Sequence, residues 1–146
     1  MGLDMYLVGK RYLKDSTPAA KLDPNEANSD EGYKELYEQN ELAYWRKSNA
    51  IHKWFVDNVQ GGTDDCGYYL TSRKHLAELQ KVCERVIGFK HLANEQLPTQ
   101  SGFFFGGTDY DEYYYRDVED TIKTIDNVIA ALDADPTLAV YYTSSW

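Results

Sequence analysis

Gly102-Phe103-Phe104-Phe105-Gly106-Gly107-Thr108-Asp109-Tyr110-Asp111-Glu112-Tyr113-Tyr114-Tyr115-Arg116-Asp117 is the stretch on which the fold of this chain turns. Its aromatic triplet is compact and bounded by turn residues, so Phe103 to Phe105 reads as a short strand. Thr108 then reads as the cap of a helix, with Asp111 at the capping-box position. A strand that turns through glycines into a helix start leaves backbone N–H groups where an anion can sit. Aromatic faces beside those groups suit a planar ligand. On that reading the segment is a ligand pocket. On the other, the phenylalanines are core and the tyrosines half-buried packing.

Downstream, a helix is predicted from near Asp109 to about Asp133, with Val118, Ile122, Ile125, Ile129 and Leu132 as its apolar stripe. Asp135-Pro136 breaks it, and Leu138 to Thr143 reads as a closing strand. Upstream, Phe89 to Ser101 reads as a loop. Ser72 caps a helix that runs to about Gly88, its core face made by Leu76, Leu79, Val82, Cys83 and Val86. Gly67 to Thr71 reads as a strand, and Gln60 to Asp65 as a turn-rich loop. Glu41 to Val59 is predicted as one helix, because Leu42, Trp45, Ile51, Phe55 and Val59 recur near helical period. The chain opens with a strand at about 3–9, extending toward Leu13. Residues 15–32, almost without large apolar side chains, read as a flexible surface loop. Residues 33–40 fit a strand, a short helix or a lead-in equally well.

With no internal repeat and no linker, residues 1–146 form a single α+β domain. A small sheet of about four strands is expected to pack with three main helices, largely on one face. The Phe strand, long helix and final strand suggest a parallel crossover, which would be right-handed.

Composition narrows the function. Fifteen basic against 24 acidic residues give a net charge of -9, which disfavours bulk binding to nucleic acid or an anionic membrane. No apolar run approaches a membrane span. The opening residues lack the pattern of a signal peptide, and Tyr6 stands where a myristoylation signal needs Ser or Thr. Cys66 and Cys83 make no disulfide framework, so a reduced, cytoplasmic protein is expected. Thirteen tyrosines are the unusual number, since tyrosine suits interfaces and pockets better than deep cores.

His52, with Trp45 and Asn49 on one row of the predicted helix, suits either a pocket edge or a satisfied core position. Asp64, Asp65 and Cys66 with the three histidines lack the spacing of a metal site, and the acidic residues from Asp109 to Asp117 lack that of a calcium loop. No metal and no cofactor are expected. Arg46, Lys47 and Lys53 on one helix, with Arg116 beside the tyrosines, are the phosphate-binding candidates. The predicted ligand-binding set is Trp45, Arg46, Asn49, His52, Phe105, Tyr110, Tyr113 and Arg116, with no catalytic residue assigned.

Three segments taken together resemble a known family: Met1-Gly2-Leu3-Asp4-Met5-Tyr6-Leu7, Tyr44-Trp45-Arg46-Lys47-Ser48-Asn49-Ala50-Ile51-His52-Lys53-Trp54-Phe55, and Leu97-Pro98-Thr99 with Gly102-Phe103-Phe104-Phe105-Gly106. They are similar to a group of short proteins encoded by bacteriophages and prophages, and cover roughly half the chain. The resemblance implies a phage setting and brings no activity or site list. In that setting the expected role is a non-catalytic sponge for a small anionic, nucleotide-type immune signal, such as a cyclic nucleotide or an ADP-ribose derivative, in the host cytoplasm. Such sponges commonly oligomerise, so a homo-oligomer is among the expectations. The alternatives are a small hydrolase or nucleotide-modifying enzyme using His52 with an acidic partner (Asp65 or Asp111), and an inhibitor that binds a host defence protein.

Overall fold

A computed structural model describes residues 2–12 and 37–146. The surface loop expected at 15–32 lies outside the described residues, as do Leu13 and residues 33–36. Among the described residues, four strands form one sheet: β1 (Asp4–Tyr12), β2 (Tyr37–Arg46), β3 (Tyr69–Leu70) and β4 (Ala139–Ser145). Their order is β2-β1-β4-β3, and every neighbouring pair is antiparallel. The α-helices of the described residues are α1 (Asn49–Asn58), α2 (Arg73–Gly88), the single turn α3 (Ala93–Gln96) and the long α4 (Glu112–Ala134). The α+β class and the closing strand agree with the sequence. The parallel crossover does not form, because the residues that were to supply its first strand are not in a strand at all.

Alternation along the strands divides the sheet into two faces. Met5 and Leu7 on β1, Ala43 and Trp45 on β2, and Val140 and Tyr142 on β4 share one face through the register pairs Met5 with Trp45, Leu7 with Ala43, Leu7 with Tyr142 and Gly9 with Val140. All six are buried, in one cluster with Ile51 and Phe55 of α1, Leu76, Leu79 and Cys83 of α2, and Val118 and Ile125 of α4. Phe55 stacks on Tyr142 with ring centroids 3.9 Å apart. The apolar stripes predicted for α2 and α4 are the surfaces that make this core.

The helix predicted over Glu41–Val59 is two elements. Its first part is the end of β2, and only Asn49–Asn58 is helical. The false period has a local cause. Leu42 is the extra residue of a β-bulge, since Leu7 pairs with Ala43 while Val8 pairs with Glu41. Leu42 therefore packs over Gly9 on the core face, where a Cβ on Gly9 would come within 2.8 Å of it. Leu42 and Trp45 thus share a face at a spacing of three, which imitates a helix. Lys47 then adopts φ 52°, in the left-handed region, and Ser48 leads into α1.

Phe103 to Phe105 is a turn, closed by the Phe105 N–H donating to the Gly102 carbonyl at 3.1 Å. Gly106 follows at φ 83°, a conformation that glycine adopts without steric cost. α4 starts later than expected. Asp111, not Thr108, is its cap, accepting from the Tyr114 N–H at 3.1 Å. Ser72 caps α2 as predicted, with His75 completing a reciprocal capping box. The strand expected from Gly67 to Thr71 is only Tyr69–Leu70 (β3), and the 89–101 loop contains a 3-10 turn and α3.

Candidate functional site

The turn and the start of α1 are built around Asn49. Its side-chain amide donates to the carbonyls of Phe105 at 3.0 Å and Gly107 at 2.8 Å, and its oxygen accepts from the Gln100 N–H at 2.9 Å. One buried side chain thereby fixes both ends of the aromatic turn. The Leu3 N–H adds a bond to the Phe104 carbonyl at 2.9 Å, and the Lys47 N–H donates to the Leu3 carbonyl at 2.7 Å. Tyr110 fastens the approach to α4, donating to Asn94 and accepting from the Thr99 N–H. Thr99 in turn donates to the Thr108 carbonyl at 2.9 Å. Backbone held this densely is preorganised.

Between these pieces lies a cavity of about 240 Å³. One wall is the start of α1: Lys47, Ser48, Asn49, Ala50 and Ile51. Ser48 does not cap the helix; its hydroxyl instead donates to Asp117 at 3.1 Å, and no acidic residue occupies the first turn. The first-turn N–H groups of α1 thus have no side-chain cap of their own, although Asp117 reaches the N-cap residue, and Lys47 also lines the cavity. The opposite wall carries acceptors, Asp109, Asp111 and Asp117, and the ring of Tyr113. Burial raises the Asp117 carboxyl above the usual range, against the Ser48 hydrogen bond that lowers it. Among the described residues, no group of three or more His, Cys, Asp or Glu is arranged to hold a metal.

Of the predicted set, Asn49 and Tyr113 line this cavity, and Arg116 reaches it only through Tyr113, its guanidinium 5.7 Å from that ring. Arg46 is a strand residue at the end of β2, 3.4 Å from Asp4. Trp45 is core, its indole N–H donating to Thr121 at 2.9 Å. Phe105 is buried, edge-on to His52 at 5.4 Å. The shared helical row of Trp45, Asn49 and His52 dissolves because Trp45 belongs to β2.

His52 is fully buried. Its Nδ1 lies 2.6 Å from the Tyr142 hydroxyl and its Nε2 2.9 Å from Asp64, whose other oxygen accepts from the Trp146 indole at 3.1 Å. The acidic partner is Asp64, not Asp65 or Asp111; Asp65 holds the Tyr69 hydroxyl and the Gly67 N–H. A neutral ring donating to Asp64 and accepting from Tyr142 satisfies every polar atom of the chain of contacts. Both nitrogens are occupied inside the core. The arrangement ties α1, the 60–65 loop and the end of β4 together.

Lys47, Asp109, Asp111 and Asp117 line the cavity from outside the predicted set, and so do Ser48 and Thr99, for which the sequence offered no functional reading. A serine followed by a helix was the one signal for Ser48, hidden by the helix assigned across it. Tyr142 gave no local sign of meeting His52, 90 residues earlier, nor Trp146 of meeting Asp64. Comparison with known protein families, with characterised proteins and with solved structures gives no match.

Proposed function

We propose that this protein binds a small nucleotide-type ligand without catalysis, in the cavity between the start of α1 and the approach to α4. The observation that carries the reading is the division of the cavity into a donor wall and an acceptor wall. Lys47 and the uncapped helix start suit a phosphate. Asp109 and Asp111 suit ribose hydroxyls, which donate to carboxylates, and the Tyr113 ring suits a base. Lys47 holds a left-handed backbone conformation that costs a non-glycine residue about 1–2 kcal/mol. Strain of that kind gathers where a side chain must be aimed. The volume fits one nucleotide unit or part of a larger signal. In a phage setting, such a protein acts in the host cytoplasm as a sponge for an immune signalling nucleotide.

The test is thermal stability of the full chain against nucleotides, cyclic oligonucleotides and ADP-ribose derivatives, followed by recovery of the bound compound. A ligand of the folded state raises the melting temperature by mass action. A shift abolished by Lys47→Ala, with the compound recovered intact, is the expected result. No shift from any compound overturns the reading, and a converted compound replaces the sponge by an enzyme. One observation favours a second reading, binding to a host protein: Phe103 is 94% exposed at the tip of a turn whose neighbours are all pinned. A rigid exposed aromatic ring is the kind of group that anchors interfaces.

A further inference from the structure

Lys47 lines the cavity, and its side chain runs past two glycines that lie far apart in the sequence. A Cβ on Gly106 would stand 3.1 Å from the Lys47 Cβ and 3.5 Å from its Cδ. One on Gly2 would stand 3.0 Å from the Lys47 Cε and 3.2 Å from an Arg46 guanidinium nitrogen. A side chain brought to within 3.0 or 3.1 Å of its neighbour would be crowded. The base and the end of the lysine stem therefore lie in space left by two missing side chains.

Both glycines sit in backbone that is held in place. Next to Gly2, the Leu3 carbonyl accepts from the Lys47 N–H at 2.7 Å, and Leu3 is fully buried. On either side of Gly106, Asn49 holds the carbonyls of Phe105 and Gly107. Among the described residues no carboxylate pairs with Lys47. Shape, not an ion pair, sets its direction, and its charge is not already neutralised. An unguided lysine loses much rotamer freedom when it fastens on an anion. A stem that is already confined loses less, which raises affinity by preorganisation.

We propose that Gly2 and Gly106 are positioning residues of the ligand cavity: the space they leave confines Lys47 to one path and aims its ammonium at a bound phosphate. This role rests on the nucleotide-binding reading of the cavity. Gly2 is the position that isolates it. Gly106 lies at φ 83°, where any side chain strains the backbone, and Gly2 is not in that region. The atoms nearest to a new side chain on Gly2 are the ends of two flexible ones, Lys47 and Arg46, which yield at little cost to the fold.

The test titrates adenosine monophosphate into four full-length chains: wild type, Gly2→Val, Lys47→Ala and the double variant. In parallel, the lysines of wild type and Gly2→Val are reductively methylated with carbon-13 and observed by NMR, Lys47 being assigned by its absence from Lys47→Ala. Gly2→Val is expected to keep its circular dichroism and melting temperature while binding the nucleotide about 10-fold more weakly. Its Lys47 signal should narrow and move to the position of a free side chain. In the Lys47→Ala background Gly2→Val should change nothing further, because the two residues act as one. Equal affinity of Gly2→Val and wild type overturns the proposal. So does a loss that persists in full without Lys47, or a Lys47 signal as mobile in wild type as in the variant. A wild type that binds no nucleotide overturns the binding reading itself, and a confined Lys47 signal then leaves the glycines a structural part only.

Discussion

Asn49 shows how much one polar side chain can hold. Replacing it by alanine leaves the Phe105 and Gly107 carbonyls and the Gln100 N–H without their partner. Unpaired buried groups cost more than the bonds themselves are worth, so Asn49→Ala is expected to lose about 2–4 kcal/mol in chemical denaturation. Lys47 separates strain from charge. Lys47→Gly and Lys47→Ala both remove the cation, but only glycine relieves the positive φ. The glycine variant should therefore be at least as stable as the alanine variant, by up to about 1 kcal/mol, while both lose affinity for an anionic ligand. Asp117 has the opposite character to an ordinary surface carboxylate. Burial raises its folded pKa above the unfolded value. Its contribution to stability is then fully present below the unfolded pKa and is lost as pH rises through the folded one. Asp117→Asn, which keeps an acceptor for Ser48, should raise the melting temperature at neutral pH, with the gain shrinking toward acid. The same change should weaken ligand binding if the acceptor wall needs its charge.

Two helix starts make a contrast at the scale of elements. Ser72 caps α2 by accepting from the His75 N–H, and nothing else is asked of it. Ser72→Ala should cost about 1 kcal/mol, read by thermal or chemical unfolding, and leave ligand binding untouched. Asp111 caps α4 and also faces the cavity. Asp111→Ala should lower stability comparably and lower ligand affinity too. Two ordinary caps would behave alike. β2 carries the other lesson of this scale. Its bulge places Leu42 and Trp45 on one face at a spacing that sequence periodicity assigns to a helix. No residue in the stretch contradicts a helix on its own. Only pairing with β1, through Gly9 and its lack of a side chain, makes the bulged strand the better packing.

For the molecule as a whole, acid sensitivity follows from carboxylates held down by partners. Glu38 is lowered by Asn40 and Arg11, Asp65 by Tyr69 and the Gly67 N–H, Asp133 by Arg73, and Asp135 by Thr137 and then Arg11. Each favours the fold above its unfolded pKa, and that contribution is lost as pH falls through the folded value. The melting temperature should therefore fall below about pH 4, where carboxylates of ordinary pKa begin to protonate, more steeply than in an Asp65→Asn variant. The class of fold, the apolar stripes of α2 and α4, the Ser72 cap and the closing strand were all legible in the sequence. These are local properties, in which neighbours three or four apart share a face and a hydroxyl reaches its own helix. Asn49 and Tyr113 were also legible as candidate site residues, because a polar group among large apolar ones and an exposed aromatic run are visible without a fold. What only the tertiary structure decided was non-local. The aromatic triplet became a turn because Asn49 and Leu3 hold its carbonyls. His52 left the candidate site because Tyr142 and Asp64 claim both its nitrogens. The cation lining the cavity is Lys47 rather than Arg46 because Lys47 itself takes a left-handed conformation that turns the chain out of β2. Period and composition report what one segment prefers. Which partner arrives from far along the chain is determined by how the whole set of faces can be buried at once.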